Sequence, residues 1–194
     1  SPADDGDAEA TFRRWIWYAA RRDGLHLDEA DDVFTEPPLV AEAIRTVVAP
    51  HLRLNSDQQK EMASHATIER YGSGELILAT GVVPEAMSFI MSGIVVLTAD
   101  TRDGSRTEAE TLEEGSYIGQ STLVRHPTAG SYYALDEVAL VRVDRDAIEK
   151  VVQRNPLLLQ EFGRSIEERR ATVLRALSDD TEGVTAVRES ETTG

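Results

Sequence analysis

The sequence predicts an α+β fold: an antiparallel β-roll, jelly-roll-like, flanked by N-terminal helices and a C-terminal helix pair. Three observations carry this. Short β-favouring runs, Ile68 to Tyr71, Leu76 to Leu78, Phe89 with Ile90, and Ile94 to Leu97, are separated by Gly72, Gly74, Gly81 and Gly93, the pattern of a roll that turns at each corner. On both sides of these runs the apolar period lengthens to that of helices. Between the two strand groups lies Leu112 to Val138, where Gly115 and Gly119 precede a short apolar and hydroxyl run, Gln120 to Val124. A glycine ahead of a short helix lets backbone N–H groups converge on one point, and a helix start favours an anion there. That stretch organises the functional reading.

Composition narrows the rest. A chain of 194 residues, 41% of them apolar, suits one ordinary domain with short attachments. The absence of Cys removes disulfides, thiolate metal sites and Cys nucleophiles together. No apolar run approaches the roughly 20 residues of a membrane span, and no signal peptide is visible. The net charge of −15 at pH 7 opposes nucleic acid, which is not expected as a partner. A start at Ser1 and not at Met is expected of a processed chain or of a piece cut from a longer one, and the chain is read as a fragment.

Taken in order, residues 1–9 carry Asp4, Asp5, Asp7 and Glu9 without apolar periodicity and are expected to be disordered. Over 10–25, Phe12, Trp15, Ile16 and Ala19 fall at helical spacing, and Gly24 suits a C-cap. Both Trp residues, Trp15 and Trp17, lie on this helix, so it needs a partner: its own domain, or a preceding domain of which it is the end. Residues 26–38, acidic and closing on Pro37 and Pro38, read as a linker. Leu39, Ile44, Val47 and Val48 predict a helix that stops at Pro50, and Ser56 with Gln59 predicts a capping box opening the next. The strand group follows, with a hairpin closed at Asp103-Gly104, then further strands over Tyr132 to Val143. Asp144 to Leu177 is helical and broken at Asn155-Pro156, and residues 178–194 read as a disordered acidic tail.

The domain expected over residues 39–177 is similar, from about residue 45 to residue 177, to the cyclic nucleotide-binding domain family. YGSGELILATGVVPEAMSFIMSGIVVL (Tyr71 to Leu97) resembles its opening strands, EEGSYIGQSTLV the start of its phosphate-binding cassette, and VRVDRDAIEKVVQRNPLLLQEF its exit into the lid helices. Separately, FRRWIWYAARRDGL resembles the end of the cytoplasmic domain of small-conductance mechanosensitive (MscS-like) channels, some of which carry such a domain after that point.

The resemblance implies a ligand site and also marks where this chain departs from the pattern. In the family a Glu follows the second cassette Gly and holds the ribose 2′-OH, and a later Arg pairs with the cyclic phosphate. Gln120 stands at the Glu position, and counting back from Ala134-Leu135 places Thr128 at the Arg position. A hydrogen bond to a charged group contributes about 1.5–3 kcal/mol, so loss of the Arg implies a roughly 10- to 150-fold weaker phosphate site. The candidate ligand-binding residues are Gly119, Gln120, Ser121, Thr122, Arg125, Thr128, Ala129 and Ser131. Arg125, the basic side chain of the cassette, either substitutes for the missing Arg or is solvated. Val173, Leu174 or Leu177 on the last helix are candidates to cap a purine.

Other chemistries find no support in the residues. His26, His51, His65 and His126 show no metal-ligand spacing, no triad or nucleophile elbow is present, and the chain reads as a non-enzyme. The expected function is ligand-sensing control of an MscS-type channel on the cytoplasmic side of a bacterial inner membrane, with cAMP or cGMP as ligand and no metal or cofactor. Its partners would be the remainder of the channel in a homo-oligomer. The alternatives are a non-binding assembly module, or the sensor part of a Crp/Fnr-like transcription regulator without its DNA-binding domain.

Overall fold

A computed structural model describes residues 2–23, 25, 36–101 and 104–191, with side chains described between 8 and 178 of these. Two four-stranded antiparallel sheets form the roll. One has the order β1 (Ala66–Tyr71), β8 (Val138–Asp144), β3 (Ala86–Ser92), β6 (Tyr117–Ile118), and the other β2 (Leu76–Leu78), β7 (Ser131–Ala134), β4 (Val95–Asp100), β5 (Arg106–Leu112).

Alternation along the central strand β8 explains how the roll is layered. Val138 and Leu140 face the space between the sheets, where they meet Ile90, Val95, Leu97 and Tyr132. Val141 and Val143 point the other way, into a second core with Ile44, Val48, Phe89, Ile148 and Phe162. A strand buried on both faces reads as a continuous apolar run, as Val138 to Val141 does. Helices therefore cover the outer face of the first sheet: α2 (Pro37–Ala43), α3 (Ala49–Leu52), α4 (Ser56–Ala63) and α5 (Arg145–Arg154).

The helical boundaries differ from the sequence expectations in instructive ways. Pro37 and Pro38, expected in a linker, occupy the first turn of α2, where a missing N–H loses no hydrogen bond. Pro50 does not stop its helix. Residues Ile44–Val48 form a π-helical segment before it, which absorbs the misfit of a proline ring against the preceding turn, and the helix ends at Leu52 with Arg53 left-handed at φ 54°. The capping box of α4 lies one residue earlier than expected. Asn55 is the N-cap, its side chain accepts from the N–H groups of Asp57 and Gln58, and the Gln58 side chain accepts from the Asn55 N–H.

Residues 2–9, expected to be disordered, are the opening turns of α1 (Pro2–Arg22), and the expected acidic tail continues α6 (Pro156–Glu191). Gly24, Asp103 and linker residues 26–35 lie outside the described residues, although β4 and β5 do form a hairpin, pairing Asp100 with Arg106.

Helix α1 docks on its own domain. The Trp15 indole Nε1 donates to the Ser73 carbonyl at 2.9 Å, and Tyr18 is buried over Gly72. Arg22 donates to the Arg70 carbonyl and to the Glu75 carboxylate, with its guanidinium 4.1 Å from the Tyr71 ring centroid. Of the two partners open to the Trp helix, the structure has the roll in place.

Candidate functional site

The cassette begins with a backbone constraint. Gly119 adopts φ 78°, and a Cβ there would stand 2.6 Å from the Ala86 carbonyl oxygen, so the position requires glycine on two counts. A 3-10 turn, Gln120–Val124, follows and is closed by Arg125, itself left-handed at φ 52°. That turn carries the Arg125 side chain outward. It is 69% exposed and stands 3.8 Å from Glu149 of α5.

Behind the turn lies a cavity of about 430 Å³ between the roll and α6. Gly119, Gln120, Ser121, Thr128, Ala129 and Tyr132 line it from the roll, and Arg169, Arg170 and Val173 from the helix. Of the candidate residues, the structure brings Gly119, Gln120, Ser121, Thr128 and Ala129 to this cavity. Thr122, Arg125 and Ser131 do not line it.

The hydroxyls turn out to have unequal chemistry. Thr128 Oγ1 donates to the Ala79 carbonyl at 2.7 Å, while its own N–H bonds Val82 and its carbonyl accepts from Gly81. Thr122 Oγ1 donates to the Pro84 carbonyl at 2.7 Å and accepts from Arg145 Nε at 2.7 Å. Ser131 Oγ donates to the Asp100 carboxylate and accepts from the Thr80 N–H. Thr122 and Thr128 thereby fasten the cassette to the β2–β3 connection, with their hydroxyl protons already held by carbonyl acceptors, and Ser131 ties it to β4 as well. Ser121 differs. Its Oγ is buried without a hydrogen-bond partner, and the residue is 7% exposed on the cavity wall. An unpaired buried hydroxyl costs about 1–3 kcal/mol, which a ligand that pairs with it would recover.

Gln120 is buried, with its Oε1 accepting from Arg169 Nη1 at 2.9 Å and its Nε2 donating to Ser165 Oγ at 3.3 Å. Arg169, not among the sequence candidates, is the deepest cation here, with a side chain 11% exposed. Its Nη1 also donates to the Tyr117 carbonyl at 2.6 Å, and its Nε stands 3.4 Å from the Glu110 carboxylate. A signal for it does exist in the sequence. Phe162, Ile166, Arg169, Val173 and Ala176 fall on one stripe of α6, so a guanidinium interrupts an otherwise apolar face. Burial raises the Tyr132 phenol above its ordinary pKa, a rise that the charge of Arg169 partly opposes.

Of the lid candidates, Val173 lines the cavity, Leu174 is 55% exposed, and Leu177 is partly buried against the inter-sheet core. Among the described residues no group of His, Asp or Glu could hold a metal ion, and no helix is long and apolar enough to cross a membrane.

Comparison with known proteins agrees with this architecture. Residues 68–155 match the family model of the cyclic nucleotide-binding domain. A lysophospholipase of Neurospora crassa is 25% identical over 179 residues, 88% of this chain and 11% of that protein. The chain thus spans only a small part, 11% and 8%, of the curated relatives it matches. Among solved structures, the regulatory subunit of a cAMP-independent protein kinase A from Trypanosoma cruzi, bound to guanosine, superposes with TM-score 0.59 at 21% identity, covering 74% of this chain and 52% of that one. A mutant of the Trypanosoma brucei counterpart, bound to cAMP, gives TM-score 0.60 at 16% identity, covering 73% and 53%. The family match begins within β1 and runs through β8 into α5, the same elements that build the roll and its cassette, and residues 68–155 are accordingly a domain of the cyclic nucleotide-binding family.

Proposed function

We propose that this domain is a regulatory sensor whose ligand is a purine cyclic nucleotide, cAMP or cGMP, held in the cavity between the cassette and α6. The observation that carries the reading is the buried, unpartnered Oγ of Ser121, a residue that lines that cavity. Buried hydroxyls are paired in the great majority of cases, so an exception in a residue beside a cavity points to a ligand. Two solved neighbours, a mutant bound to cAMP and a second subunit bound to guanosine, support a purine nucleoside or nucleotide as the wider ligand class.

Phosphate affinity is expected to be reduced, since Thr128 carries no charge and its hydroxyl is already bonded. Signalling then follows from unequal affinity for two positions of α6. The controlled partner we propose is an MscS-type channel, in a homo-oligomer with this domain on the cytoplasmic side, on the strength of the Phe12 to Leu25 segment. The domain itself is proposed to have no catalytic activity.

Calorimetric titration of the chain with cAMP and cGMP at low salt tests the reading. Saturable binding that weakens roughly five- to tenfold in Ser121→Ala, the loss of about one neutral hydrogen bond, is the expected result. No heat with either nucleotide at millimolar concentration overturns it and leaves an assembly role.

A further inference from the structure

We infer that Arg169, carried by α6 and not by the cassette, is the group that receives the ligand's phosphate, so that phosphate capture and seating of α6 are one event. This rests on the sensor reading above and assigns the charge that the cassette lacks.

Three observations lead to it. The cassette offers the cavity no arginine or lysine of its own, because Arg125 is 69% exposed beside Glu149 and the basic cassette side chain on the wall is His126. Of the two arginines that do line the cavity, Arg170 is exposed, whereas the Arg169 side chain is 11% exposed. A charge withdrawn from water acts on an anion far more strongly than a solvated one. The third observation is how Arg169 is held. Its Nε and Nη1 carry the contacts to Glu110, Tyr117 and Gln120, and the guanidinium also lies within hydrogen-bonding reach of the Tyr132 phenol, so it is held facing the cavity that Tyr132 lines.

Those contacts are of a kind that a phosphate can replace. Gln120 Oε1 is a neutral acceptor, and Glu110 is 35% exposed at 3.4 Å, so neither matches a phosphate accepting two parallel N–H bonds from one guanidinium. Tyr117, whose carbonyl bonds Nη1 and whose ring centroid lies 5.4 Å from the guanidinium, holds the side chain in place during the exchange. Gln120, released by Arg169, is then free to bond a ribose hydroxyl through its amide. Because the guanidinium arrives on α6, an uncharged ligand can fill the cavity without drawing on it, and a phosphorylated one cannot.

The test titrates the full chain with cAMP and, in parallel, adenosine, which keeps base and ribose and lacks the phosphate; cGMP and guanosine form a second pair. The wild type is expected to prefer the nucleotide of each pair. In Arg169→Gln the nucleotide should weaken roughly 10- to 150-fold, the range of one charged hydrogen bond, with the nucleoside within about threefold. Arg164→Gln, the same charge change at an exposed position of α6, should alter neither. Glu110→Gln supplies a second variant on the roll that leaves Arg169 in place, and it should tighten the nucleotide alone.

The inference is overturned, with the sensor reading intact, if wild type binds nucleoside and nucleotide equally, or if Arg169→Gln weakens both alike or tightens the nucleotide. If none of the four ligands binds the wild type, the sensor reading itself fails and takes this inference with it.

Discussion

A methyl group at Gly119 would meet the Ala86 carbonyl oxygen at 2.6 Å on a backbone already at φ 78°. The obstacle is main chain of β3 and cannot rotate away, so Gly119→Ala should destabilise the domain by about 2–4 kcal/mol, strain and overpacking together. Chemical denaturation measures this, and a change under 1 kcal/mol would mean that the cassette turn relaxes easily. The side-chain partners around it were less accessible to sequence reasoning. Thr122 and Thr128 bond carbonyls 38 and 49 residues distant, Pro84 and Ala79, and nothing in a sequence marks which backbone oxygen a hydroxyl will reach. Ser121, two positions from a glycine and alike in type, is left unpaired only because of where the 3-10 turn points it. Arg169 was within reach, since a charged residue on an apolar helical stripe is unusual enough to be read as a site.

Elements were legible where one hydropathy period ruled and obscure where docking decided. The strands followed from alternation and glycine corners, and the helix break at Asn155-Pro156 from proline chemistry. The π-helical segment ahead of Pro50 and the docking of α1 depend on neighbours that periodicity does not register. One interelement cluster carries a pH prediction. The His51 ring of α3 lies 5.7 Å from Phe89 of β3 and 5.6 Å from Tyr117 of β6, which in turn meets Phe162 of α6 at 5.3 Å. Burial lowers the His51 pKa below its ordinary 6.5, more than a backbone hydrogen bond with Gly115 raises it.

With the folded value depressed, the unfolded chain binds the proton first as pH falls. The His51 contribution is therefore complete above the unfolded pKa and declines below about pH 6.5. Melting temperatures of wild type and His51→Gln, taken from about pH 7.5 to about pH 5.5, isolate this term from other titrating groups. Wild type should lose ground against the variant as the solution becomes acidic. A constant difference between the two would show that His51 titrates alike in both states.

At the scale of the whole molecule, the cavity and the N-terminal helix are joined by one four-residue strand. Strand β7 starts at Ser131, presents Tyr132 to the cavity, and ends at Ala134. There the Ala134 N–H donates to the Glu75 carbonyl at 2.9 Å, and its carbonyl accepts from the Gly74 N–H at 2.6 Å. Ser73, Gly74 and Glu75 are also the corner on which α1 docks, through Trp15 on the Ser73 carbonyl and Arg22 on the Glu75 carboxylate. A shift of Tyr132 on ligand binding would therefore move the corner beneath α1 without passing through a flexible loop. The chain supplies its own reporter, because its two tryptophans, Trp15 and Trp17, both lie on α1 and neither lines the cavity. Saturating nucleotide should alter tryptophan emission along the same isotherm that calorimetry gives, and Trp15→Phe should remove most of that change. Emission that stays constant while heat shows binding would mean that α1 is anchored independently of the site, and control of a partner on that side would need another route. A change that persists in Trp15→Phe would move the coupling to Trp17, whose ring stands 4.9 Å from Tyr18 and 4.2 Å from the Arg21 guanidinium.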